Sequence, residues 1–255
     1  MHTQWVALKT IVRKEITRIM RIWTQTLLPP LITQTLYFVI FGKFIGSQVQ
    51  AINGVTYMAF LVPGLVMMAV INSSYGNVVS SFFGAKFQRN IEEVLVSPTA
   101  NWVIVAGYVL GGLMRGIAVG LLVFLVSLFF AHPQVQHMWA IIFFTIVSAT
   151  LFSLLALING IFARNFDEVA FFQNFILTPL IYLGGVFYSI HSLPHVWQVV
   201  SLLNPLVYMI NGFRYGFFGF SDVNPAICAM ILAGGTIILI WINLLLLKKG
   251  IGIKN

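Results

Sequence analysis

The chain has 255 residues, 59% hydrophobic and 8% charged, with a net charge of +8 and a mean hydropathy of +0.95. A water-soluble domain carries about 25% charged residues, so this composition excludes an ordinary globule, which 23 Phe would cover with apolar patches. The basic residues lie in short runs between long apolar stretches, not on one solvated face, which excludes a nucleic-acid binder.

The first 22 residues lack the continuous apolar core and small-residue cleavage site of a signal peptide and are expected to stay in the mature chain. Trp5, Leu8, Val12, Ile16, Ile19 and Trp23 recur at three- and four-residue steps, with Lys9, Arg13, Lys14, Thr17, Arg18 and Arg21 over much of the remainder. This periodicity predicts a basic amphipathic helix over 1–22, lying along the lipid headgroups. Six apolar stretches then have the length of about 20 residues that a membrane-crossing helix needs: 23–41, 57–83, 102–130, 139–162, 169–188 and 225–247. The expected fold is an all-α polytopic membrane protein, six spans over 23–247 followed by a basic tail, 248–255. Eleven of the 14 Lys and Arg fall on one side of six spans, which puts both termini in the cytoplasm. The lone cysteine, Cys228, excludes an intramolecular disulfide and reads as a small buried hydrophobe.

Between the second and third spans, the 84–101 loop mixes both charge signs with Phe87, Ile91, Val94 and Leu95 at helical spacing. A short amphipathic helix is expected, sharing Phe87, Ile91 and Leu95 on one face and stopped before Pro98, because the residue preceding proline avoids the α region. Glu92 and Glu93 lie beside that face, and two readings stay open: a solvated turn, or a docking knob for another protein. Arg115 is the one charge well inside a span, about 20 Å along the helix from Trp102. It either lines a pathway for an anionic substrate or pairs with a neighbouring carbonyl. Asp167 and Glu168, close to Arg164, read as a local cytoplasmic charge cluster.

From the end of the fifth span onward, Gly184-Gly185, Pro194, Asn204-Pro205, Asn211-Gly212 and Gly216 break an apolar region into pieces too short to cross upright. A pair of short re-entrant helices on the outer side, within 189–220, accounts for this, since irregular backbone at membrane depth needs protein or a water-filled cavity around it. From Leu177 to Arg214 the chain reads Leu-x2-Leu-x2-Leu-Gly-x-Val-x6-Leu-Pro-x10-Pro-Leu-x-Tyr-x5-Arg, with Gly184, Pro194, Pro205, Tyr208 and Arg214 among its fixed positions.

That order of residues resembles the signature of type-2 ABC exporter permeases, and Glu92-Glu93-x-Leu-x-Val-Ser-Pro98 is similar to the cytoplasmic coupling helix of that family. The resemblance covers essentially the whole chain. It implies outward movement of polysaccharide-, lipid-linked- or drug-like molecules by a permease pair in the bacterial inner membrane, with separate ATPase subunits. ATP and Mg would bind the partner ATPase, with no cofactor in this chain: its only Gly-Lys pair, Gly42-Lys43, is followed by Phe44, so no phosphate loop is present. Arg214 is expected to bond backbone carbonyls or Asp222, fixing the broken helices.

Two rival classes fit less well. An ion-coupled secondary transporter needs ionisable groups within the membrane; Glu15, Glu92, Glu93, Asp167, Glu168 and Asp222 read as lying in loops or at span ends. An integral-membrane enzyme is weaker still: His191 and His195 are four apart, but Pro194 lies between them and no third metal ligand accompanies them.

Overall fold

The computed structural model describes residues 2–46, 48–49, 51–52 and 54–252, without the side chains of His2, Val94 and Leu95. The basic N-terminal segment is a helix, α1 (His2–Arg21), which breaks at Ile22 before α2 (Trp23–Thr26) and α3 (Leu28–Tyr37). The second break follows from Pro29 and Pro30, whose missing N–H groups leave the carbonyls of Gln25 and Thr26 without helical donors. The helix then widens into a π-helical stretch, Phe38–Ile45.

The second span, α4 (Tyr57–Phe87), is capped by the Thr56 hydroxyl, which accepts from the amide of Ala59 at 3.4 Å. Most of its residues are buried, its polar side chains Ser73, Ser74, Asn77 and Ser81 included, which places it in the centre. The first, third and fourth spans pack against it. Arg89, with φ 60°, reverses the chain into a short helix, α5 (Asn90–Val96), which stops at the extended Ser97 before Pro98. Then come α6 (Asn101–Ser127) and α7 (Met138–Phe162). Next is a broken run of α8 (Phe166–Phe171), a π-helical stretch (Phe172–Leu177) and α9 (Thr178–Tyr182). Past a turn at Ile190–Ser192, α10 (His195–Leu202) and α11 (Pro205–Phe218) meet at 92°. The last span is α12 (Pro225–Lys249), ended by Gly250 at φ 67°. The described residues hold no strand beyond one bridge between Ile52 and Val55.

Contacts give the direction of each pass. Phe87 touches Phe166, and Lys86 reaches the last carbonyls of α7, so α4 ends where α7 ends and α8 begins. Gly252 lies against Ile161, which brings the end of α12 to the same place. Gln4 holds the start of α6, donating to the carbonyl of Pro98 at 2.8 Å and accepting from the amide of Ala100 at 2.9 Å. This is the α5 end. At the opposite, α11 end, Phe38 stacks on Phe130 at 5.5 Å, and Asn204 donates to the carbonyl of Leu180 at 2.7 Å. The chain therefore passes six times, through α2–α3, α4, α6, α7, α8–α9 and α12, and both of its described ends lie at the α5 end.

The fifth pass differs from its expected form. It is not a plain helix over 169–188: it runs from Phe166 to Tyr182 with a π-helical middle, and the chain turns at Gly184-Gly185. Among the described residues, five helices are singly long and apolar enough to cross a membrane, and α10 with α11 forms the bent pair expected between the fifth span and the last.

One helix carries a seam of glycines. On α6, Gly107 and Gly111 face Ile11 and Glu15 of α1, while Gly112, Gly116 and Gly120 face Val78, Ser74 and Val70 of α4. A Cβ on Gly116 would lie 2.0 Å from the Ser74 hydroxyl oxygen and 3.2 Å from the Val70 carbonyl oxygen, so a larger residue here would have to displace Ser74. Close packing through small residues replaces the hydrophobic effect, which lipid cannot supply between helices.

Candidate functional site

At the α5 end, the expected docking face is divided. Phe87 belongs to the last turn of α4, because the left-handed Arg89 interrupts the helix before α5 begins. Phe87, Ile91 and Leu95 therefore do not form one helical stripe. Ile91 is 2% exposed and packs inward, and the side chain of Leu95 lies outside the described residues. What faces outward is Glu92 and Glu93, with Val96 88% exposed, and beside them the ring of Phe87. That ring meets Phe166 of α8 at 5.1 Å, and Phe166 also meets Phe83 edge-on at 4.9 Å. The surface thus joins two loops, because α8 adds the exposed Asp167 and Glu168. Four of the six carboxylates in the chain lie exposed on these two loops, together with the exposed Arg89 and Arg164.

Lys86 has a task that the sequence pattern did not reveal. Its ammonium donates to the carbonyls of Ile161 at 2.5 Å and Ala163 at 2.8 Å, satisfying orphan acceptors at the end of α7. The last turn of α4, which leads into α5, is thereby tied to α7.

Glu15 corrects the expectation that every carboxylate lies in a loop or at a span end. It is fully buried, inserted between α4 and α6 over Gly111. Its carboxylate accepts from the Ser81 hydroxyl, from the Asn77 amide at 3.2 Å and from the Arg18 guanidinium at 3.0 Å. Arg18 also donates to the Asn77 carbonyl and side-chain oxygen, both at 2.9 Å. The signal was present in the spacing: Ile11, Glu15 and Ile19 share one face at four-residue steps, opposite two glycines four apart on α6. The N-terminal helix is accordingly latched to the bundle along one side, while Trp5 stays exposed.

Arg115 donates to the carbonyl of Thr26 at 3.2 Å. That carbonyl is the one deprived of its helical donor by Pro30, so of the two readings the structure displays the carbonyl pairing.

The signature residues converge at the α11 end. Arg214 is 1% exposed; it donates to the carbonyl of Gly185 at 2.7 Å, lies 3.9 Å from the Asp222 carboxylate and covers the ring of Phe60 at 4.0 Å. Asp222 in turn accepts from the Ser189 hydroxyl at 2.9 Å and the Ile190 amide at 2.8 Å. Gly184 sits where a Cβ would be 3.0 Å from Leu206, and Gly185 has φ 82°, a conformation that glycine adopts at no steric cost. Pro194 precedes α10 as its N-cap, and Pro205 opens α11, whose first turn is capped by Asn204. The Tyr208 hydroxyl closes the elbow between them, donating to the carbonyl of Leu202 at 2.6 Å. Arg214 thus pins the turn after α9 to α11 through a backbone carbonyl and a carboxylate, as the sequence pattern suggested.

Six passes, an N-terminal helix latched to the bundle and a bent helix pair pinned at one end make up a polytopic membrane protein, and its relatives are transport permeases. The chain belongs to the ABC-2 type transporter family, whose profile matches residues 6–218. It is 60% identical over 224 residues to the inner membrane transport permease YadH of Escherichia coli (strain K12), covering 88% of this chain and 87% of that protein. It is also 28% identical over 177 residues to nodulation protein J of Sinorhizobium fredii (strain NBRC 101917 / NGR234), covering 68% and 66% respectively.

Proposed function

We propose that this chain is the membrane-spanning subunit of an ATP-driven exporter in a bacterial inner membrane, docked through its α5 end to separate ATPase subunits. ATP and Mg bind those partners, and two permease chains work together. In this reading the α5 end and both termini are cytoplasmic and the α11 end faces outward. A polysaccharide-, lipid-linked- or drug-like molecule is the cargo class that goes with the family.

The observation that carries the reading is the surface formed by α5 and α8. At the tip of the central helix the exposed rings of Phe87 and Phe166 meet, and the two loops that carry them hold four exposed carboxylates in a chain of net charge +8. Buried anchors contribute most of the affinity at such a contact, whereas rim charges set orientation and association rate. Ile91 is already buried within the protein, so the anchors offered to a partner are Phe87, Phe166 and Val96. Arg115 holds the kink between α2 and α3 and is not assigned to the transport path.

The test is co-purification of the partner ATPase from membranes, together with its hydrolysis rate. Phe87→Ala combined with Phe166→Ala is expected to release the ATPase and uncouple hydrolysis from transport. Glu92→Lys with Glu93→Lys is expected to weaken association in low salt and to do so less as added salt screens the charges over about 8–10 Å. Undiminished co-purification and coupling in both variants would move the docking site elsewhere. Sidedness has its own readout: in intact cells, an impermeant thiol reagent is expected to label Ser192→Cys and to leave Glu92→Cys unlabelled. The reverse pattern overturns the assigned orientation.

A further inference from the structure

Beside the α11 end, α6 and α7 part to leave a cavity of about 310 Å³. Its floor is Val66 and Val70 of α4 with Phe213 and Phe217 of α11, and the missing side chain of Gly120 makes room on the α6 wall. The lining has one polar side chain, Thr145, and its hydroxyl is already donated to the carbonyl of Ile141 at 2.7 Å. A water molecule needs two to four polar partners, so water has nothing to hold it here. The mouth lies between Leu121, 57% exposed, and Ile142, 53% exposed, on the sides of two membrane-crossing helices. The medium against that mouth is hydrocarbon.

The segment 131–137 supplies the depth. It is fixed to α11 by the amides of Gln136 and His137, which donate to the carbonyl of Gly216 at 3.1 and 2.8 Å. Val135 lines the apolar cavity, whereas Gln134 and Gln136 line a second cavity, of about 420 Å³, with Thr56 and His132. Alternate side chains of an extended segment point to opposite faces. The loop therefore separates an apolar space from one whose lining adds amide, hydroxyl and imidazole groups to the rings of Phe218 and Phe220. That is the profile of an amphiphile at its ester linkage.

We propose that the apolar cavity is a resident-lipid site, holding one acyl chain of a membrane phospholipid whose polar end lies at the 131–137 loop. The site does not depend on the direction of transport or on the ATPase contact, so its failure would leave the proposed function untouched. The experiment places the full chain in vesicles of phosphatidylethanolamine and phosphatidylglycerol containing a phospholipid with a mid-chain diazirine. After irradiation, the acyl adducts are mapped by peptide mass spectrometry. Adducts are expected to concentrate on residues 117–124 and 138–146, well above the α12 peptide bearing Ile237 and Ile238, which are equally open to lipid. Ile142→Trp, which displaces about two methylenes from the mouth, is expected to lower that labelling about tenfold. Ile237→Trp is expected to leave it unchanged. Even labelling of α6, α7 and α12, or full labelling in Ile142→Trp, overturns the site. Labelling that is seen only after dilution to single chains assigns the cavity to a second copy, and labelling lost when bound ATPase hydrolyses ATP assigns it to cargo; either result also overturns the proposal.

Discussion

Arg214→Ala is expected to lose about 3–5 kcal/mol of folding stability, the usual consequence of removing one partner from a buried ion pair. The guanidinium is enclosed between the Phe60 ring, the Gly185 carbonyl and the Asp222 carboxylate. Its removal leaves that carbonyl without its side-chain donor, Asp222 without its counter-charge and a void beneath Phe60. The turn after α9 then loses its tether to α11, and the re-entrant pair loosens. Arg214→Lys restores the charge but not the planar fork of donors, so it is expected to fall between wild type and alanine. The measurement is the melting temperature of detergent-solubilised protein, followed by size-exclusion fluorescence, alongside the yield of membrane-inserted chain. Pairing Arg214→Ala with Asp222→Asn should recover part of the loss, because the second change removes the uncompensated charge. If alanine melts with wild type, the pin does not hold this end together.

Glu15→Leu is the second large effect expected, and it acts at the other end. The carboxylate receives hydrogen bonds from two residues of α4 and one of α1. Hydrogen bonds to charged groups contribute about 1.5–3 kcal/mol each, and a leucine there would also leave Asn77 and Ser81 without that acceptor. Hydrogen exchange is expected to rise across α1 while α4, α6 and α7 keep their protection, since the latch fails before the bundle does. Glu15→Gln keeps an acceptor for Ser81 or Asn77 and should be milder. Gly111→Leu attacks the same contact from the opposite wall, where even a Cβ would lie 2.7 Å from Glu15 Cγ. Unchanged exchange of α1 in both Glu15→Leu and Gly111→Leu would reduce the network to decoration.

The spans were legible because a bilayer demands long apolar runs, and the bent pair because Gly, Pro and Asn interrupt one. Arg214 was legible for a related reason: a charge in so apolar a segment needs a partner, and few were within reach. Glu15 was not, because a basic amphipathic helix assigns every ionisable group to the wet face. Only the two glycines on a helix nearly a hundred residues later make room for it. The shape of the 84–101 loop was half legible. A three- and four-residue period ran unbroken through 87–95, and nothing in it announced that Arg89 would take a left-handed conformation and return Phe87 to α4. The contribution of α8 arises from tertiary contact between Phe87 and Phe166, which periodicity along one segment does not contain. The fifth pass was overextended because its apolar run continues beyond the turn that Gly184 and Gly185 impose.

Mechanically, α4 is a beam. Its 31 residues span about 46 Å, from Thr56 at one end to the turn before α5 at the other. Near one tip, Lys86 grips the end of α7; near the other, Phe60 lies under Arg214 and Gly64 abuts the backbone of Val186. A tilt of about 5° around the midpoint would carry each tip through about 2 Å in opposite senses, given that length. A torque applied at the α5 end would therefore travel to the pinned elbow along one continuous helix, whose interior proline, Pro63, places a missing hydrogen bond beside the elbow itself.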